Sequence, residues 1–177
     1  MTPRRKLLVA AAAVALAAVA GLAALRAGRE TPSDEELVRA LFEDAAKAAE
    51  ERRVSDAVEG VSESFAGRGL DRAGVKRLVA FHVLRGEWLS VSISGARVVV
   101  DGDRALANVD AVLARGSAKG KSLAALLPGE ASAHRFLCRL RREPDGWRIV
   151  EAEWRAVGLA EAVEGPPEPA WPATGGR

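Results

Sequence analysis

Residues 96–115 read ARVVVDGDRALANVDAVLAR, two apolar-rich runs on either side of Asp101-Gly102-Asp103. Asp-Gly supplies the positive φ that a tight turn between antiparallel strands needs, so the stretch is a β-hairpin. Working outward, residues 133–142 (AHRFLCRLRR) and 147–156 (WRIVEAEWRA) flank Pro144-Asp145-Gly146 and form a second hairpin. On the first of these strands His134, Phe136, Cys138 and Leu140 fall on one face, and Arg135, Arg139 and Arg141 on the other. Upstream, Glu87–Ser94 and Ala96–Val100 are strand-like, with Gly95 as a bulge or kink between them. Residues 116–130 form a polar insert around the short apolar piece Leu123–Leu127.

Before these hairpins the apolar period is helical. Ser33 and Glu36 have capping-box spacing, and Asp34, Glu35 and Glu36 suit the positive end of a helix. Leu37, Val38, Leu41, Phe42, Ala45, Ala48 and Ala49 then recur at helical spacing to about Arg53. Val54–Val61 reads as a shorter helix, and residues 65–69 as a loop. Asp71 caps a third helix with a stripe of Val75, Leu78, Val79 and His82. Helices followed by hairpins give an α+β domain, N-terminal helices packed on a curved antiparallel sheet.

This order, with Val100-Asp101-Gly102-Asp103-Arg104-Ala105 and Asp145-Gly146-Trp147-Arg148-Ile149 at the two turns, resembles the nuclear transport factor 2-like (cystatin-like, cone-shaped) superfamily. The resemblance covers about residues 34–157. It implies a pocket between helices and sheet, lined in part by the third helix. It does not imply an activity, because the family contains enzymes, binders and secretion-system parts. The chain has no tyrosine, so the tyrosine-based sites of steroid-isomerase-like and dehydratase-like members have no counterpart here.

The N-terminus sets the expected location. Leu7–Leu25 carries no charge, and as a helix it would be about 28 Å long, enough to cross a bilayer core. Arg4, Arg5 and Lys6 precede it, which favours the N-terminus inside. Residues 1–29 are therefore a signal anchor, or a signal peptide cleaved after Ala18-Val19-Ala20. Residues 30–164 are the folded domain. Residues 165–177, with four of the eight prolines, are expected to be a disordered tail. The expected setting is a bacterial cytoplasmic membrane crossed once through residues 7–25, with the domain in the periplasm, or exported if the leader is cleaved.

The formal charge of +2 over 177 residues hides an uneven distribution. Five of the 26 basic residues lie in or beside the leader, leaving 21 against 24 acidic groups beyond it. A mildly acidic domain is unsuited to nucleic-acid phosphates. The single cysteine, Cys138, excludes an intrachain disulfide. Residues 115–122 superficially suggest a phosphate loop, but Arg115 stands where its first glycine is required. No metal-ligand spacing and no cofactor motif occurs, so no cofactor is expected.

The candidate pocket residues are His82, His134, Phe136 and Asp110. An imidazole at His82 or His134 has the chemistry of a general acid or base. Asp110 shares a polar strand face with Asn108, placed for cross-strand pairing with the row of arginines at 135, 139 and 141. Glu151 and Glu153 fall on the corresponding face of the last strand. Trp147 and Trp154 read as scaffold, and Trp171 as solvated. The expected function is non-enzymatic binding of a small apolar ligand or an envelope protein partner, with a homodimer through a sheet face as a further expectation. The alternative is an isomerase- or hydrolase-like enzyme using His82 with Asp110 or His134.

Overall fold

A computed structural model of the chain describes residues 31–85, 90–115 and 130–171. The expected leader (1–29), Trp88, most of the insert and residues 172–177 lie outside the described residues. Among those described, no helix is long and apolar enough to cross a membrane.

Both hairpins form at the expected turns. The strands β1 (Ser90–Asp101), β2 (Arg104–Ala114), β3 (Ala131–Glu143) and β4 (Gly146–Val157) make one antiparallel sheet in chain order. Gly102 turns the first hairpin at φ 61°. The bulge expected at Gly95 is present, as the β1–β2 register shifts between Ile93 and Gly95. A second shift follows Arg139, opposite Val150. Such bulges add twist and curve the sheet.

On the inner face, alternation brings Val98, Ala107, Cys138 and Ala152 into one cross-strand row. All four are buried, with Val109, Leu140 and Trp147 beside them. Helix α1 (Asp34–Glu50) lays Val38 and Phe42, one turn apart, onto this floor. Its two ends are tied to the sheet. Asp34 at the first turn pairs with Arg142 and accepts from Trp147 Nε1, while Glu50 Oε1 at the last accepts from Ser90 Oγ (2.7 Å) and the Val91 amide (2.9 Å). The second helix, α2 (Val54–Ala57), is shorter than its sequence pattern suggests. The chain instead turns and pairs with β4, the Ser62 amide donating to Ile149 O and the Ala66 amide to Val150 O.

Helix α3 (Arg72–Leu84) is capped by Asp71, whose carboxylate accepts from the Gly74 amide at 2.7 Å. Its expected inward stripe is corrected in part. Val75 and Val79 pack on the core, whereas Leu78 is 38% exposed. Val83 takes the buried place instead, because a helix rotates by about 100° per residue and positions 75, 79 and 83 share a face that 78 leaves.

The outer face carries an element the hydrophobic pattern did not reveal. Helix α4 (Leu159–Glu164) follows β4 and seats Ala162 against Val112 and Ala133. Residues 165–171, expected as part of a disordered tail, instead continue across the sheet. Pro166 and Pro169 are buried, and Asn108 Nδ2 donates to Pro167 O at 2.9 Å. Pro166 lies so close to Gly95 that a Cβ there would stand 2.7 Å from its Cδ. Residues 165–171 thus form a strap that buries two prolines and accepts hydrogen bonds from Asn108 on β2 and Arg135 on β3.

The polar contacts of this face centre on Arg135. It is 11% exposed and holds the wholly buried Asp110 through two parallel bonds of 2.7 Å, from Nε and Nη2. Its remaining donors reach Glu161 Oε1 on α4 (2.8 Å) and Gly165 O on the strap (3.2 Å). Replacing Arg135 with Met should therefore cost about 3–5 kcal/mol, since Asp110 would be left buried and unpaired. Urea unfolding checks this. The double variant D110L/R135M should recover most of the loss, and a single-variant cost below about 1 kcal/mol would contradict the assignment.

Candidate functional site

Toward one end of the inner face, two cross-strand rows carry partly exposed side chains on β3 and β4. Ala96, Val109, Phe136 and Trp154 form the first of these rows, and Ile93, Ala111, His134 and Ala156 the second. His134, Phe136 and Trp154 are only half-buried. Phe136 and Trp154 stack with centroids 6.2 Å apart and planes 30° from parallel. Arg68, in the loop before α3, places its guanidinium 4.8 Å from the Trp154 ring centroid and donates to Trp154 O at 2.6 Å. Its φ of 49° is a left-handed conformation that a non-glycine residue adopts at some cost. The cation–π contact and hydrogen bond hold it there.

From α3, His82 comes close enough to His134 for its charge to disfavour protonation of the latter. The edge of the His82 ring meets Phe81 in a T-shaped contact at 5.3 Å. The His134 imidazole is held below its ordinary pKa, first by burial and then by His82. At neutral pH it is therefore an uncharged hydrogen-bonding group at the edge of an aromatic surface.

Of the four residues expected in a pocket, His134 and Phe136 share the inner face of one strand, with His82 within electrostatic reach of His134. Asp110 is not with them. It neighbours Ala111 on β2, and adjacent strand residues point to opposite faces, so its carboxylate lies on the outer face with Arg135. The cross-strand pairing expected for it is present, but on a face covered by α4 and the strap rather than a solvated one. Arg139 and Glu151 form the analogous pair at 2.8 Å on the exposed part of that face. Cys138 is fully buried, and burial pushes its thiol up to about 12, which makes it packing rather than a nucleophile. Among the described residues, no group of three or more His, Cys, Asp or Glu side chains comes together as a metal set.

Trp154 and Arg68 were not legible as site residues. Trp154 reads as strand filler because its alternation matches the core face, and its partial exposure depends on how far the helices reach. Arg68 lies 86 positions away in sequence and carries no local signal.

No protein-family model and no curated protein matches the chain by sequence. Solved structures do match it by shape. An NTF2-like protein of unknown function from Pseudomonas putida KT2440 superposes with a TM-score of 0.54 at 15% identity, over 68% of this chain and 84% of that one. An NTF2-like protein with a cystatin-like fold from Novosphingobium aromaticivorans gives 0.53 at 23% identity, over 77% and 85%. A candidate dehydratase of the NTF2-like family from Streptomyces avermitilis gives 0.52 at 16% identity, over 70% and 96%. The fold is that of the nuclear transport factor 2-like superfamily, as the turn motifs implied.

The histidine pair makes a signed prediction. A folded-state pKa below the ordinary 6.5 means that the unfolded chain takes the proton more readily, so His134 lowers stability as pH falls through about 6.5. In a histidine NMR titration the His134 midpoint should lie below 6.5 and move upward in H82Q. A midpoint at or above 6.5, or one indifferent to H82Q, would contradict the arrangement.

Proposed function

We propose that this domain binds a small apolar, flat ligand at the inner end of its sheet and performs no chemistry on it. The supporting observation is the separation of Asp110 from the histidines. An acid–base site requires its groups within hydrogen-bond reach of one reacting atom, directly or through one water. Here the carboxylate nominated for His82 is sequestered by Arg135 on the opposite side of the sheet. What remains inside is the Phe136–Trp154 stack, with neutral His134 at its edge. Such a surface combines large apolar area with a few polar groups that orient a ligand.

The remaining enzymatic reading, His82 acting with His134, is the weaker one. Burial and the nearby His82 lower the tendency of His134 to hold a proton, which suits it poorly to act as a general acid at neutral pH. The apolar run Leu7–Leu25 supports placing the domain beyond a bacterial cytoplasmic membrane, anchored or released. An envelope protein presenting an aromatic side chain to the same surface is a special case of the same binding chemistry.

Fluorine NMR of 5-fluorotryptophan-labelled full-length protein tests the site, with the four tryptophan resonances assigned by single Trp→Phe variants. Titration with naphthalene should shift the Trp154 resonance and leave those of Trp147 and Trp171 in place. The F136A variant should weaken that response about tenfold, equivalent to about 1.4 kcal/mol of lost stacking and burial. No shift at Trp154, or an undiminished one in F136A, would overturn the proposal.

A further inference from the structure

The outer face carries a second arrangement, independent of the inner surface. In the register of the sheet Arg104 on β2 stands opposite Arg141 on β3, which stands opposite Arg148 on β4. Like charges directly opposite one another on neighbouring strands are destabilising, so a ladder of three is a cost that packing alone does not explain. With strands about 4.8 Å apart, the ladder is about 10 Å long. Arg139 lies two residues before Arg141 on the same strand.

A groove of about 340 Å³ opens beside this ladder, within the range of small-molecule sites. Arg104, Arg139 and Arg141 line it, Val150 contributes apolar lining, and Trp171 forms a wall. Trp171 is held by the strap, and its ring centroid is 5.4 Å from the Arg104 guanidinium carbon. The ring expected to be solvated is therefore fixed beside a row of guanidiniums. Three carboxylates temper the charge without cancelling it: Asp101 at 3.5 Å from Arg104, Glu143 at 3.3 Å from Arg141, and Glu151 at 2.8 Å from Arg139. Arg141 also donates to Ser64 Oγ at 3.2 Å. Arg148 donates to Trp147 O at 3.0 Å.

We infer that this groove is a binding site for a small organic anion with a flat apolar body, an aromatic carboxylate being the simplest. The carboxylate would insert among Arg104, Arg139 and Arg141, whose guanidinium forks match its geometry. The apolar body would lie on Val150 against the Trp171 ring. Neither half of the site suffices by itself. The arginines are partly satisfied, so a bare anion gains little, and the exposed apolar floor is small.

The test uses full-length fluorotryptophan-labelled protein titrated with naphthalene-2-carboxylate. The Trp171 resonance should shift in a saturable manner. R104Q/R141Q should weaken binding at least tenfold, while H134Q should leave it unchanged, with near-UV circular dichroism confirming that each variant is folded. Inorganic sulfate should bind at least tenfold more weakly than the naphthoate. Equal binding of sulfate would reduce the groove to a charge patch and overturn the inference. A shift at Trp154 instead of Trp171 would assign the anion to the inner surface and overturn it too, as would indifference to R104Q/R141Q. Because naphthalene reports on Trp154 and naphthoate on Trp171, failure of one site leaves the other separately testable.

Discussion

The Asp110–Arg135 pair organises both faces of this sheet. A carboxylate with no exposure and a guanidinium with 11% cannot be accommodated in a protein interior except together. Their pairing fixes the β2–β3 register, since Asp110 and Arg135 are directly opposite. A slip of one residue would turn Arg135 inward and turn Phe136 and Cys138 out. The same guanidinium extends to Glu161 and Gly165 O, so the interaction that sets the register also fastens the strap across the outer face.

Two consequences divide the molecule. Inside, alternation places His134 and Phe136 on the face opposite Arg135, where α3 approaches with His82. Because helix α1 is tied at Asp34 and Glu50, it covers the middle of the sheet and leaves the far rows half-covered. An aromatic surface persists there because, among the described residues, Trp154 is met by the Arg68 side chain and the Phe136 ring and stays partly exposed. Outside, the strap turns what would be a bare polar sheet face into a covered one, and it ends at Trp171 beside the arginine ladder.

Much of this was readable from particular residues. Asp101-Gly102-Asp103 and Asp145-Gly146 located the hairpins because only a few residue types tolerate the turn conformation they need. The alternation through 134–141 sorted inner from outer residues correctly, including the arginine face and its partner Asp110. Gly95 marked the bulge. What eluded the sequence were facts about coverage. Asp110 on an alternating strand reads as solvated, because no pattern within β2 announces that α4 and two prolines will bury it. A Pro-rich segment has the composition of a disordered tail, and its docking depends on residues far upstream, Asn108, Gly95 and Arg135. Leu78 was placed inward by helical spacing, but three apolar positions per turn cannot all face one narrow floor.

The claim that most of the account rests on is that the inner aromatic surface holds a ligand while the two sheet faces act separately. Native mass spectrometry of the protein recovered gently from its own cells addresses it most directly. The account predicts a reproducible small-molecule adduct that is retained in R104Q/R141Q and lost in F136A. A protein that carries no small molecule at all, or one whose adducts all survive F136A, would contradict it.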